Sequence, residues 1–270
     1  MPNAPAHPAD IPYRELAPPP PLAGAVACVW TRGDGPEAAE RKQTVVPDNC
    51  ADIIWRLSPA GDVLNAFVAG PMSRPFALRG ASSGYFVGVR FNPGQIAGVL
   101  RVNAGAVRDR HIPVEDVIPG LRTLLDGIEP TAIDATLAAL GMALGGRIER
   151  ARRLPPALAQ ALYQIDASQG QLGVESLARS VGASRQHLAR LFDAHVGLRP
   201  KFVARVARLQ RAMAIALRSR QVATARLPHN LAILSWSALA AHVGYADQSH
   251  MVADFVSLTG ESPAAWLAAR

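Results

Sequence analysis

The chain has 270 residues, of which 49% are hydrophobic and 18% charged, and its formal net charge is +7. This length suffices for one large or two ordinary domains, and the hydrophobic fraction excludes a disordered chain. The two cysteines are too few for a disulfide framework or a four-thiolate zinc site. Because no apolar run reaches roughly 18 residues and the first residues lack the pattern of a secretory signal, we expect a cytoplasmic protein with no membrane partner.

Residues 1–120 have the pattern of a domain built from short β-strands. Runs rich in valine, isoleucine and aromatic residues alternate with turn sequences such as PDNC, SPAGD and NPG. The runs are VACVW (26–30), TVVP (44–47), ADIIW (51–55), DVLNAFVAG (62–70) and GYFVGVRF (84–91). Many short strands at this spacing predict a β-barrel or a β-sandwich.

Within this domain, Arg90 and Trp55 are the candidate ligand-binding residues. Both faces of the predicted strand 84–91 are apolar, so the charge of Arg90 is expected to turn into the domain or to its rim. An ion pair with Asp48 or Asp52 would make Arg90 structural, whereas an unpaired Arg90 could anchor an acidic effector. Trp55 and Trp30 are expected to form part of the core or a pocket wall.

The sequence favours neither an enzyme nor a cofactor or metal site. A catalytic metal centre needs several histidines and a carboxylate, and residues 1–150 contain only His7 and His111. We find no Gly-rich phosphate loop, nucleophile elbow or paired-carboxylate motif. Cys28 and Cys50 could form a redox or thiol-binding pair, or they could be two small buried hydrophobic residues.

In residues 121–153 the hydrophobic period becomes helical. Apolar residues recur at steps of three or four, namely Ile133, Leu137, Leu140, Leu144 and Ile148. This apolar face could pack on the helix's own β domain, or it could pair with a second subunit in a homodimer. The prolines in 154–156 then mark a linker to a new helical region.

The rest of the chain is predicted to be helical and contains an internal repeat. The first copy, LARSVGASRQHLARLFDAHVGLRP, begins at Leu177, and the second, LAAHVGYADQSHMVADFVSLTGESP, begins at Leu239. Each copy predicts two helices joined at a glycine, Gly182 or Gly244, which is the helix-turn-helix pattern. Between the copies, a helix over 201–218 is expected to carry four arginines on its outer surface: Arg205, Arg208, Arg211 and Arg218.

Positive charge is concentrated in this half of the chain. Residues 151–270 hold 14 basic and 6 acidic side chains, whereas residues 1–150 hold 14 and 15. A basic half joined to a near-neutral half indicates that only the former binds a polyanion. Together with the doubled motif, this charge predicts double-stranded DNA as the partner.

Four stretches, VGASRQHLARLF, GLRPKFVARVARLQRA, VGYADQSHMVADF and TGESPAAW, closely resemble the DNA-binding domain of the AraC family of bacterial transcriptional regulators. The resemblance covers about residues 154–270 and implies a seven-helix domain whose third and sixth helices enter adjacent major grooves of promoter DNA. It implies the following DNA-contacting residues: Arg185, Gln186, Ala189 and Arg190 on the first recognition helix, and Gln248, Ser249, His250, Val252 and Ala253 on the second.

The N-terminal stretches YRELAPPPPLAGAVACVW, VVPDNCADIIW, GVRFNPG and HIPVEDVIPG resemble a β-rich sensor domain found on many such regulators. This implies a two-domain α+β protein, with a cupin-like β-barrel over 1–120, a helical connector over 121–153 and the DNA-binding domain over 154–270. We predict a nucleoid-associated regulator controlled by a small-molecule effector, which would contact RNA polymerase if it activates transcription. The alternative is an effector-independent DNA-binding protein whose β domain only mediates oligomerisation.

Overall fold

The chain forms an N-terminal domain of β-strands and short helices followed by an all-helical domain, which confirms the predicted two-domain α+β class. The computed structural model describes residues 12–34, 43–78, 84–224 and 235–269. His7 therefore lies outside the described residues.

A six-stranded antiparallel sheet forms the base of the N-terminal domain. Its strands are β1 (Arg14–Leu16), β2 (Val26–Asp34), β4 (Ala51–Leu57), β5 (Val63–Ala69), β7 (Gly84–Phe91) and β8 (His111–Pro113). They are ordered β1-β2-β7-β4-β5-β8, and β3 (Gln43–Val45) pairs with β6 (Phe76–Leu78) in a separate small sheet. All five predicted runs coincide with a strand.

The prediction of a closed barrel is wrong for the described part of the chain. The six-stranded sheet is open, because β1 and β8 lie at its two edges and do not pair with each other. Each of these edge strands is only three residues long. Hydrophobic spacing predicts five of the eight described strands and misses the three-residue strands β1, β6 and β8. Closure of a sheet depends on tilt and register around the whole sheet, which local patterns do not specify.

The alternation of residues in β4 shows which face of the sheet is the core. Every second residue is buried, namely Ala51, Ile53, Trp55 and Leu57. This face packs on α3 (Ile133–Glu149) and on the short helices α1 (Gln95–Leu100) and α2 (Ala104–Val107). The other face of the sheet lies under the β3–β6 pair.

The helix α3 is part of the N-terminal core. Leu140 and Leu144 are fully buried in the same cluster as Trp55, whereas Met142 on the opposite side is 81% exposed. A Cβ at Gly145 would lie only 2.8 Å from the Cβ of Pro21, so the missing side chain allows the close approach of α3 to the 19–21 segment. Of the two alternatives for the apolar face, the structure places it against its own β domain.

The C-terminal region contains seven described helices, the number that the resemblance implies. They are α4 (Pro156–Ala167), α5 (Val174–Ser180), α6 (Arg185–His195), α7 (Pro200–Thr224), α8 (Trp236–His242), α9 (Gln248–Thr259) and α10 (Pro263–Ala268). Two hydrophobic clusters, one around α4–α6 and one around α8–α10, share α7 as a common wall. The helix α7 runs six residues beyond the predicted end at Arg218, because its sequence after Pro200 contains neither glycine nor proline up to Thr224.

The two domains contact each other near α6. Arg108 Nη1, just after α2, donates to the carbonyl of Gly197 at 2.9 Å, directly after α6. Asn49 Nδ2 donates to the Val203 carbonyl at 3.0 Å at the start of α7. The first helix-turn-helix is therefore held by the N-terminal domain through hydrogen bonds to backbone oxygens.

Candidate nucleic-acid interface and internal pocket

The first predicted motif folds as two helices joined by a tight turn. Gly182 has φ +63°, the left-handed conformation that ends α5. The Ser184 hydroxyl accepts a hydrogen bond from the backbone N–H of His187 at 3.1 Å and caps the start of α6. Leu188 and Phe192 are fully buried, which turns the opposite face of α6 outward.

The predicted contact residues of α6 lie on this outward face. Arg185, Gln186 and Arg190 are exposed, and Ala189 between them is partly exposed. Arginine and glutamine side chains on the first turns of a recognition helix match the hydrogen-bonding groups of base edges in the major groove.

The second motif repeats the same construction. Gly244 has φ +82°, and the Asp247 carboxylate accepts a hydrogen bond from the backbone N–H of His250 at 2.7 Å at the start of α9. Met251 and Phe255 are buried, so that the outward face carries the predicted residues Gln248, Ser249, His250, Val252 and Ala253. This face is less basic than that of α6.

Most arginines of α7 stabilise the domain instead of facing solvent. Arg205 donates to Asp254 Oδ1 from Nε at 3.0 Å and from Nη2 at 2.8 Å, and the Asp254 side chain is almost fully buried. Arg211 lies 3.2 Å from a ring nitrogen of His242. Two of the four arginines that were expected on the outer surface of α7 therefore have partners on α8 or α9, and a third, Arg208, is also engaged.

Arg208 connects the two motifs. Its Nη2 donates to the carbonyl of Gly170, in the turn before α5, at 2.7 Å, and its Nη1 donates to the carbonyl of Gly244, in the turn before α9, at 3.2 Å. The guanidinium also lies over the Tyr245 ring, 5.1 Å from its centroid. Of the four predicted arginines, only Arg218 has no contact within the described part of the chain.

Two family models match the sequence. Residues 177–269 match the family described as a helix-turn-helix domain, and residues 14–113 match a domain of unknown function, DUF6597. The first match spans both motifs and the helix that joins them. This match identifies residues 177–269 as a helix-turn-helix domain.

Solved structures of ToxT from Vibrio cholerae are similar to this chain over most of its length. An apo ToxT variant of strain SCE256 is 11% identical with a TM-score of 0.44, over 89% of this chain and 96% of that chain. ToxT with a bound unsaturated fatty acid is 11% identical with a TM-score of 0.42, over 88% and 93%. The chain has no significant match among curated proteins.

The N-terminal domain contains a pocket of about 260 Å³ between the large sheet and the β3–β6 pair. Arg90 lines it, but the guanidinium is not free. Its Nε lies 3.3 Å from both Asp48 Oδ2 and Asp52 Oδ1, and its Nη1 lies 3.3 Å from Glu15 Oε1. These ion pairs favour the structural alternative for Arg90 over an anchor for an acidic effector.

The two candidate ligand-binding residues lie on opposite faces of the sheet. Trp55 is fully buried in the core, where its Nε1 donates to the Leu121 carbonyl at 3.1 Å. The tryptophan in the pocket is Trp30, whose indole lies directly over Gly88, where an added Cβ would lie 2.0 Å from a ring carbon. Trp30 is therefore the pocket-wall tryptophan of the two that the sequence suggested, and its place over Gly88 depends on a cross-strand pairing that the sequence does not show.

Both thiols lie close to the Arg90 cluster. Burial raises the pKa of Cys28 to about 11, and burial also raises the pKa of Cys50 above its ordinary value. Thiols with raised pKa values are poor nucleophiles, which favours the interpretation of both cysteines as buried hydrophobic residues.

None of the described helices has the length and apolar character that a membrane span requires.

Proposed function

We propose that this protein is a sequence-specific transcriptional regulator that reads two neighbouring major-groove segments with α6 and α9. The observation that carries the proposal is the doubled motif, in which capped helices with buried inner faces present polar outer faces. The match of residues 177–269 to a helix-turn-helix domain family supports this proposal. Because the protein would act on chromosomal DNA, we expect it to associate with the nucleoid. As an activator, the protein would contact RNA polymerase.

DNA affinity is expected to fall steeply with salt concentration. The C-terminal half has a net charge of +8 over residues 151–270, and neutralising phosphates releases counterions. Arg205, Arg208 and Arg211 are engaged within the domain. The slope of log affinity against log salt concentration should therefore correspond to fewer phosphate contacts than the net charge of +8 suggests. Titrating the full chain with promoter DNA at several salt concentrations measures this slope. An affinity independent of salt would contradict DNA binding through this half.

Arg190→Ala is expected to weaken operator binding at least tenfold. A good bidentate contact to a base is worth about 1–3 kcal/mol, and about 1.4 kcal/mol is tenfold. Gln248→Ala should cost less, because the outer face of α9 has no arginine and includes the apolar Val252 and Ala253. Titration of both variants against one operator at fixed salt compares the motifs, with circular dichroism confirming that each is folded. A larger loss for Gln248→Ala would refute this asymmetry.

We further propose that a small-molecule effector bound in the N-terminal pocket controls operator affinity. His111 lines the pocket and lies three residues after Arg108, whose guanidinium holds the Gly197 carbonyl at the end of α6. This short connection supports coupling between the pocket and the first recognition helix. A ligand that changes operator affinity would support effector control, whereas no change across a broad metabolite screen would favour the effector-independent alternative.

The proposed role is not enzymatic. Among residues that the structure describes, no group of three or more His, Cys, Asp or Glu side chains could hold a metal ion.

A homodimer stays a proposal. Because the apolar face of α3 is buried within its own domain, a dimer contact through α3 would have to use its outer side, where Met142 is exposed.

A further inference from the structure

Aromatic rings form the walls of the N-terminal pocket. The lining rings are Trp30, Phe67, Phe76, Phe86 and His111. The His111 ring packs against two of them, with its centroid 5.0 Å from that of Phe67 and 5.0 Å from that of Phe76. Tyr13 stands at the edge of the pocket, half exposed. The faces of such rings carry negative electrostatic potential and attract cations.

The carboxylates around Arg90 outnumber its single positive charge. Glu15, Asp48 and Asp52 each approach the guanidinium to 3.3 Å. This group of four side chains has a net charge of −2 when its carboxylates are ionised. An anionic ligand that approached Arg90 would have to displace one carboxylate and would be repelled by the other two.

The remaining charged groups of the pocket do not reverse this sign. Arg32 Nε donates to Asp34 Oδ1 at 2.6 Å, so that this pair is neutral overall. Partial burial lowers the pKa of His111, which keeps the imidazole uncharged near neutral pH. The described groups that line the pocket, together with the carboxylates bound to Arg90, therefore have an excess of negative charge.

Asp52 is the carboxylate best placed to meet a ligand. It lines the pocket, and its contacts with Trp30 Nε1 at 3.0 Å and with Arg90 Nε at 3.3 Å both involve Oδ1. The second oxygen, Oδ2, has no hydrogen-bond partner among the described residues. Burial raises the pKa of Asp52 to about 6, and the carboxylate is still ionised at neutral pH.

We propose that this pocket binds an organic cation, an amine or quaternary ammonium compound with an aromatic or branched apolar body, in preference to a carboxylate. The inference rests on the proposed function, because it assigns a ligand class to the effector pocket. The cation lies against the aromatic walls, with its charge directed toward Asp52. The volume of about 260 Å³ admits a small ring-bearing ammonium compound.

Calorimetric titration of the full chain at fixed ionic strength tests this assignment without DNA. The cationic probe is benzyltrimethylammonium, and the anionic probe of similar shape is phenylacetate. We expect the cation to bind at least about tenfold more tightly than the anion. Equal or tighter binding of phenylacetate, or no binding of either probe at millimolar concentration, would overturn the proposal.

Asp52→Asn separates charge from shape. Asparagine keeps a side-chain oxygen for Trp30 Nε1, and Arg90 keeps Glu15 and Asp48. We expect Asp52→Asn to weaken binding of the cation at least about fivefold. Asp134→Asn is the matched control, since this exposed carboxylate on α3 does not line the pocket. Equal effects of both variants would contradict the role of Asp52.

Phe67→Leu provides a second variant that keeps the pocket apolar while it removes one aromatic face. It is expected to weaken benzyltrimethylammonium binding severalfold and to leave the affinity for phenylacetate nearly unchanged. A separate titration of operator DNA with and without the cation then tests effector control. Binding of the cation without a change in operator affinity would sustain the ligand class and contradict effector control.

Discussion

Leu140→Asp is expected to unfold the N-terminal domain. Leu140 is fully buried between α3 and the sheet, so the substitution removes a core side chain and places an unpaired carboxylate in an apolar site. The loss should exceed about 4 kcal/mol, a large fraction of the stability of a typical domain. Circular dichroism and thermal unfolding of the full chain measure this loss.

Met142→Asp is the matched control on the same helix. The Met142 side chain is 81% exposed, so an aspartate there should change stability by less than about 1 kcal/mol. Sedimentation of the two variants also tests the homodimer proposal, since a dimer formed through the outer side of α3 would dissociate on Met142→Asp. A stable, folded Leu140→Asp variant would contradict the position of α3 in the core.

Arg205→Ala is expected to destabilise the C-terminal domain by about 3 kcal/mol. The substitution leaves the carboxylate of Asp254, which is only 6% exposed, without its cationic partner, and an unpaired buried charge is costly. The value lies at the lower end for such pairs because the Arg205 side chain is 29% exposed. Urea unfolding monitored by tryptophan fluorescence, in a background in which Trp30 and Trp55 are replaced by phenylalanine so that only Trp236 and Trp266 report, measures the loss in the second motif.

Arg218→Ala controls for the loss of positive charge on α7. Arg218 is exposed and has no contact within the described part of the chain, so its removal should affect salt-dependent DNA binding but not folding. A folding loss of similar size in both variants would refute the structural role of the Arg205–Asp254 pair. A smaller loss for Arg205→Ala than for Arg218→Ala would refute it equally.

The C-terminal domain could be predicted closely because its determinants are local. The turn glycines Gly182 and Gly244, the caps Ser184 and Asp247 and the helical period of apolar residues all act within a few positions along the chain. The predicted contact residues therefore lie on outward faces of α6 and α9. What they read on DNA stays a prediction.

The roles of charged residues could not be predicted in the same way, because they depend on distant partners. Arg205 finds Asp254 at a separation of 49 positions, and Arg90 is surrounded by Glu15, Asp48 and Asp52 from other strands and loops. Alternation placed Arg90 on a face of β7, but the number of carboxylates around it was not accessible from the sequence. Because three carboxylates surround Arg90, the ligand that we propose for the N-terminal pocket is a cation and not an acid.

The Arg208 bridge fixes the separation of the two motifs. One guanidinium holds the carbonyls of Gly170 and Gly244, which belong to the turns before α5 and α9, and the compact ammonium group of a lysine could not reproduce this planar fork. On DNA, a fixed separation of α6 and α9 corresponds to a fixed number of base pairs between the two half-sites. In the DNA complex proposed above, Arg208 would control how strictly the protein measures operator spacing, and we expect a chain with lysine there to tolerate operators lengthened or shortened by one base pair.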